Sequence, residues 1–248
     1  MVIVKSEEQL NAMRKAGVVL RDVLCLLEDK AKIGMSTIDL DKIAYDYIVN
    51  NGGKPSFLNY NGFPNSLCTS IDEEVVHGIP NKKRILKDGS LLKVDCGVNM
   101  LGVHVDGART ILLGNVSPEK KKLAEVCKQS FFEGIKVLKD GTRLGTLGSA
   151  IQSYVESNGY GVVRDLVGHG IGANLHEDPF VPNFGKEGRG MRVYKNMTLA
   201  IEPMITLGTY EVETLKDGWT VVTEDRKASA HYENTVIVLE DGVEILTL

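Results

Sequence analysis

Apolar residues recur at helical spacing twice along this chain, each time giving way to shorter β-type runs. Ser6 followed by Glu7, Glu8 and Gln9 has the form of a capping box, and Leu10, Met13, Leu20, Leu24 and Leu27 continue at helical spacing, which predicts an amphipathic helix. Ser36 ahead of Asp39 opens a second helix, with Leu40, Ile43, Ala44, Tyr47 and Ile48 on one face and Gly52-Gly53 as its stop. From there to Gly114 the pattern is β-type and broken by glycine and proline, with strand-like runs at 91–94, 103–105 and 108–113. Ser117-Pro118 starts a third helix expected to reach Leu138, residues 144–155 form a fourth, and strand-like runs follow at 162–163, 198–205, 219–222 and 230–239. Two helices then strands, twice over, predict an α+β chain. It is expected to be one domain, 1–248, with pseudo-symmetric halves at about 1–114 and 115–248 that share element order but no sequence identity.

Composition narrows the picture. With 43% hydrophobic and 25% charged content, 248 residues suffice for a sizeable core at the upper end of single-domain size. The formal charge of -4 leaves no basic excess for holding phosphates, so nucleic acid is not an expected substrate, and Lys120-Lys121-Lys122 reads as the solvated start of a helix. No apolar run approaches the roughly 18 residues of a spanning helix, and the polar start at Lys5-Ser6-Glu7-Glu8 has no signal-peptide character, so a cytoplasmic protein with no membrane partner is expected. Cys25, Cys68, Cys96 and Cys127 form no Cys-x-x-Cys pair and read as reduced packing thiols.

The chemistry lies in His77, Asp95, Asp106, His169, His176, Glu202 and Glu233. Each sits in or beside an apolar run, where a charge is costly unless a cation or partner compensates it. The run into Asp95 and the run into Asp106 form a hairpin with Asn99 and Gly102 as turn residues. With the turn centred between Met100 and Leu101 the two carboxylates stand directly opposite, which demands either a shared proton or divalent cations. Glu202 and Glu233 stand at the margins of apolar strands; singly each reads as an ordinary edge carboxylate. Together, four carboxylates and one or two imidazoles without thiolates suit a hard or borderline divalent ion such as Mn, Fe or Co. The stretch from Gly168 through Pro179 reads as a loop carrying His169 and His176, its glycines letting the backbone approach a ligand. His104 and His231 fall within strands away from any glycine turn and are left outside the site.

Val76-His77-Gly78-Ile79-Pro80, Asp95 and Asp106 at their spacing, Gly168-His169-Gly170-Ile171-Gly172 through His176-Glu177-Asp178-Pro179, Ile201-Glu202-Pro203-Met204 and Glu233 resemble type I methionine aminopeptidases of bacterial type. The resemblance spans nearly the whole chain and includes Asn59-Tyr60, Gly62, Phe63-Pro64 and Asp217-Gly218-Trp219-Thr220. It implies the pita-bread fold: two halves forming a curved antiparallel sheet around two divalent metal ions (Co, Mn or Fe). Asp95 would chelate one ion, His169 and Glu202 the other, and Asp106 and Glu233 both. It implies that Glu202 handles the proton of an activated water, that His77 contacts the scissile amide and that His176 supports the oxyanion. Tyr60, Phe63, Cys68, His77, Leu175 and Trp219 would line the methionine pocket. The implied activity is removal of initiator methionine from nascent chains with a small second residue, at the ribosome; a monomer is the default expectation. Leu175, Phe57 and Phe63 stand where other members often carry Phe, Cys and Tyr. X-Pro aminopeptidases and a metal-free binding protein on the same scaffold are the alternatives. The former usually carry an added N-terminal domain and a longer His-Gly loop, and the intact ligand set argues against the latter.

Overall fold

Local signals place the first two helices where the sequence predicts them. In the computed structural model, which describes residues 4–248, α1 (Glu7–Lys30) is capped by Ser6, whose hydroxyl accepts from the Gln9 N–H at 3.2 Å while the Gln9 side chain returns to the Ser6 N–H at 2.9 Å. Its buried stripe runs through Leu10, Met13, Leu20, Leu24 and Leu27. Ser36 and Asp39 form the corresponding box ahead of α2 (Thr37–Asn50).

The strands β1 (Lys54–Pro55), β2 (Cys68–Ile71), β3 (Glu74–Val76), β4 (Leu91–Met100) and β5 (Val103–Leu112) follow, then the helices α3 (Pro118–Ile135) and α4 (Leu144–Ser157). The chain closes with β6 (Gly161–Val162), β7 (Gly168–Gly170), β8 (Glu177–Val181), β9 (Thr198–Ile201), β10 (Met204–Thr206), β11 (Val212–Thr214), β12 (Val221–Thr223), β13 (Ser229–His231), β14 (Glu233–Leu239) and β15 (Gly242–Ile245). A nine-stranded sheet runs β1-β4-β5-β14-β9-β7-β8, with β2 on β4 and β15 on β14; β13-β10-β6 and β11-β12-β3 form two smaller sheets. Alternation along the central strands sets their two faces. Val94, Cys96 and Val98 of β4 and Val103 and Val105 of β5 cluster with the α1 and α2 stripes, whereas Leu199, Ile201, Val236 and Val238 join Leu123, Phe131, Leu147 and Ile151 of α3 and α4. The opposite face carries Asp95, Asp106 and Glu233.

Four expectations change. The third helix stops at Ile135 rather than reaching Leu138, because its end tightens into Val137 N to Gly134 O (3.3 Å) and Leu138 N to Ile135 O (3.1 Å) bonds, and the Thr142 hydroxyl caps the Val137 carbonyl. The run 198–205 is two strands in different sheets, since Pro203 has no N–H for a ladder. The run 230–239 likewise divides at Tyr232, whose N–H goes to Pro203 O at 3.2 Å. Lys120 is not merely solvated: its ammonium sits 2.6 Å from Asp72 and donates to Gly89 O.

Candidate active site

The hairpin β4-β5 turns through Leu101-Gly102 (φ 54° and 78°), both left-handed as a two-residue type I′ turn requires. That places Asp95 opposite Ala108 and Asp106 opposite Gly97, so the aspartates are diagonal neighbours on one face, two residues out of the direct opposition expected. Ala108 in turn pairs with Glu233, which lines up Asp95, Ala108 and Glu233 across three strands. Beside this row the Thr235 side chain exchanges hydrogen bonds with the Asp106 backbone (2.8 and 2.9 Å), Thr235 pairs with Ala200, and Ala200 pairs with His169. Glu202 follows β9 directly, where Pro203 breaks the strand.

His169 therefore lies on an internal strand, and the expected two-histidine loop is a β7-β8 hairpin with His176 just ahead of β8. Its glycines serve strand packing rather than ligand approach: a Cβ at Gly168 would meet Ala200 O at 2.3 Å, and one at Gly170 would meet Asp178 O at 2.2 Å.

The five predicted donors converge. Ligand atoms of Asp106, His169 and Glu233 lie within 4.8 Å of one another, and His169 Nε2 is 3.8 Å from Glu202 and 3.9 Å from Asp106. Burial, with their mutual repulsion, holds the Asp95, Glu202 and Glu233 carboxyls far above the ordinary range, and burial lifts Asp106 to about 7. Asp95 Oδ1 and Glu233 Oε1 are buried without a hydrogen-bond partner. His169 Nδ1 lies 2.8 Å from Gly170 O, an acceptor only, so Nδ1 carries the proton and the Nε2 lone pair faces two carboxylates. Lone pair against ionised carboxylate is repulsive unless a proton or a metal cation stands between. This donor set fits a divalent metal.

All the other predicted site residues line the same cavity, of about 280 Å³: Tyr60, Phe63, Cys68, His77, Leu175, His176 and Trp219 are joined there by Phe57, Asn61, Val76, Leu166, Val167 and Met204. Tyr60 Oη is 2.8 Å from His176 Nδ1, and the rings of Phe63 and His77 meet Trp219 edge-on at 5.2 and 6.3 Å. His77 has φ 59°, unusual for a non-glycine residue, and burial beside His176 lowers its pKa to about 4. Leu166, Val167 and Met204 carried no individual signal, being apolar residues among many. His104 stays outside, bonded to Asn99 and Ser56. His231, left outside by the sequence, is at the site: its Nε2 is 3.6 Å from Glu202 Oε2, and ligand atoms of Glu202, His231 and Glu233 lie within 4.8 Å. Its spacing of two from Glu233, on the same face of an extended segment, was the available signal.

The profile of metallopeptidase family M24 matches residues 11–240. The chain is 52% identical over 248 residues to methionine aminopeptidase of Clostridium acetobutylicum, covering 100% of this chain and 99% of that one. It is 46% identical over 247 residues to methionine aminopeptidase 1 of Bacillus subtilis, again covering 100% and 99%. The crystal structure of methionine aminopeptidase from Thermotoga maritima superimposes with a TM-score of 0.98 at 39% identity, covering 100% and 99%. Prolidase from Pyrococcus horikoshii superimposes at 0.80 over 64% of its length with 21% identity, a likeness of fold alone. The curled antiparallel sheet with helices on its outer face is the pita-bread arrangement shared by these structures.

Proposed function

This chain belongs to metallopeptidase family M24, and from that membership we propose that it is a methionine aminopeptidase, releasing the N-terminal methionine of peptides and nascent proteins by hydrolysis and preferring a small second residue. The observation that carries the reading is the convergence of four carboxylates, three buried and Glu202 partly so, with one lone-pair imidazole in the cavity that also holds His77, His176 and Trp219. Asp95, Asp106, His169, Glu202 and Glu233 would hold two divalent ions, Asp106 and Glu233 serving both, with Mn, Fe or Co suited to the donors. As in two-metal hydrolases generally, aminopeptidases among them, such ions supply Lewis acidity for a water and for the scissile carbonyl.

The chain's own groups do the rest. Glu202, in the cavity and next to His169, accepts the water proton and passes it to the leaving amine. Tyr60 engages His176 Nδ1, which leaves Nε2 as the nitrogen able to donate to the developing oxyanion. His77, kept neutral by burial, meets the scissile amide. Asp95 lies beside the position of the substrate's free α-amine, which limits cleavage to one terminal residue. Phe63, Cys68, Leu175 and Trp219, with Tyr60 and His77, enclose the thioether in an apolar wall of aromatic edges and soft sulfur.

Residues 1–248 would act as one catalytic domain, with related halves at about 1–114 and 115–248, monomeric and cytoplasmic, on chains leaving the ribosome. Among the described residues no helix is long and apolar enough to cross a membrane. The test is release of free methionine from Met-Ala-Ser by metal-depleted protein titrated with Mn(II) or Co(II), with blocked and Pro-terminated peptides as controls. Metal-dependent release from the free Met terminus alone is expected; no release at any metal level would overturn the assignment.

A further inference from the structure

His231 is buried to 1% exposure, and neither ring nitrogen has a hydrogen-bond partner. An orphaned imidazole in a protein interior is costly and calls for a partner. The group its Nε2 faces is Glu202 Oε2, at 3.6 Å, while the other oxygen of the same carboxylate, Oε1, faces His169. Glu202 thus stands between two imidazoles, one on each oxygen.

The backbone around His231 is pinned. Thr110 Oγ1 donates to His231 O at 2.8 Å and accepts from its N–H at 3.1 Å; His231 pairs with Met204, and Tyr232 N holds Pro203 O, the residue after Glu202. The free variable is the rotation of the Glu202 carboxyl. A carboxylate that gives one oxygen to a cation leaves the other in need of a donor, and such outer partners orient metal ligands. We propose that His231 is a positioning residue for Glu202, donating from Nε2 to Oε2 so that Oε1 is presented to the metal bound by His169. In this tautomer Nδ1 keeps only a lone pair, the less costly group to leave unpaired. The inference rests on the metal-centre reading above.

The test is calorimetric titration of metal-depleted protein with Co(II), alongside the cobalt d–d spectrum, for wild type, His231→Gln and His231→Met. Glutamine retains an N–H donor; methionine offers comparable bulk without one. We expect His231→Met to weaken Co(II) binding by about 10- to 100-fold and to alter the spectrum, and His231→Gln to retain wild-type affinity. Equal binding by wild type and His231→Met would overturn the role. Electron spin echo modulation of the Mn(II)-loaded wild type needs no variant: one coordinated imidazole is expected, and two would overturn the proposal by making His231 a ligand. Wild type that binds no Co(II) would overturn the metal centre as well, which separates the two failures.

Discussion

In the proposed mechanism Glu202 has two tasks in one carboxyl, holding a cation and moving a proton. Glu202→Gln should lower kcat by about two to four orders of magnitude with little change in KM, the signature of a group needed in the transition state; near-normal turnover in steady-state assays would remove that role. Asp106→Ala should instead lose bound metal, read by elemental analysis. Away from the site, burial would raise the Asp72 carboxyl, but Lys120, the Leu91 N–H and Ser90 outweigh it and hold the pKa below 3.8. A carboxyl depressed on folding contributes stability in full above its unfolded value and loses it as pH falls through the folded one. Asp72→Asn should therefore lower the urea midpoint at about pH 7, by an amount that shrinks as the pH falls below about 4.

Elements in this protein are held as much by particular pairs as by their own propensities. The β7-β8 hairpin is anchored by Lys5, whose ammonium lies 2.6 Å from Glu177, both side chains nearly fully buried, while Glu177 also accepts from the Asn174 N–H. Lys5→Met leaves that carboxylate buried without its charge partner, so a loss of about 3–5 kcal/mol is expected in denaturant titration. In the β4-β5 turn, Leu101 is exposed at φ 54°, a conformation that a γ-branched chain adopts at a cost and asparagine readily. Leu101→Asn should raise stability by about 0.5–1 kcal/mol at unchanged m-value.

At the scale of the molecule, Arg109 ties distant segments together. Its guanidinium donates to Ala108 O, Glu233 O, Asn234 Oδ1 and Thr247 O, joining β5, β14 and the end of the described chain behind the carboxylates. On the proposed metal-centre reading, the same carboxylates make the folded state a binder of cations. At a metal concentration of about 100 times Kd the native state gains about 2.7 kcal/mol, so a chelator should lower Tm by about 5–10 °C; an unchanged Tm would argue against a folded-state metal site.

The signals legible along the chain were local or periodic: the capping boxes of α1 and α2, the switch from helical to β-type spacing, and acids set in apolar runs, which single out Asp95, Asp106, Glu202 and Glu233. These depend on neighbours within a few residues, so they are written in order along the chain. Tertiary structure alone decided the two-residue offset of the Asp95–Asp106 register, the division of 198–205 at Pro203, the strand placement of His169, the Lys120 to Asp72 pair and the approach of His231 to Glu202. Each of these turns on which strand lies beside which, and on side chains dozens of residues apart meeting across the sheet, a choice made by burying many apolar faces at once and carried by no single segment.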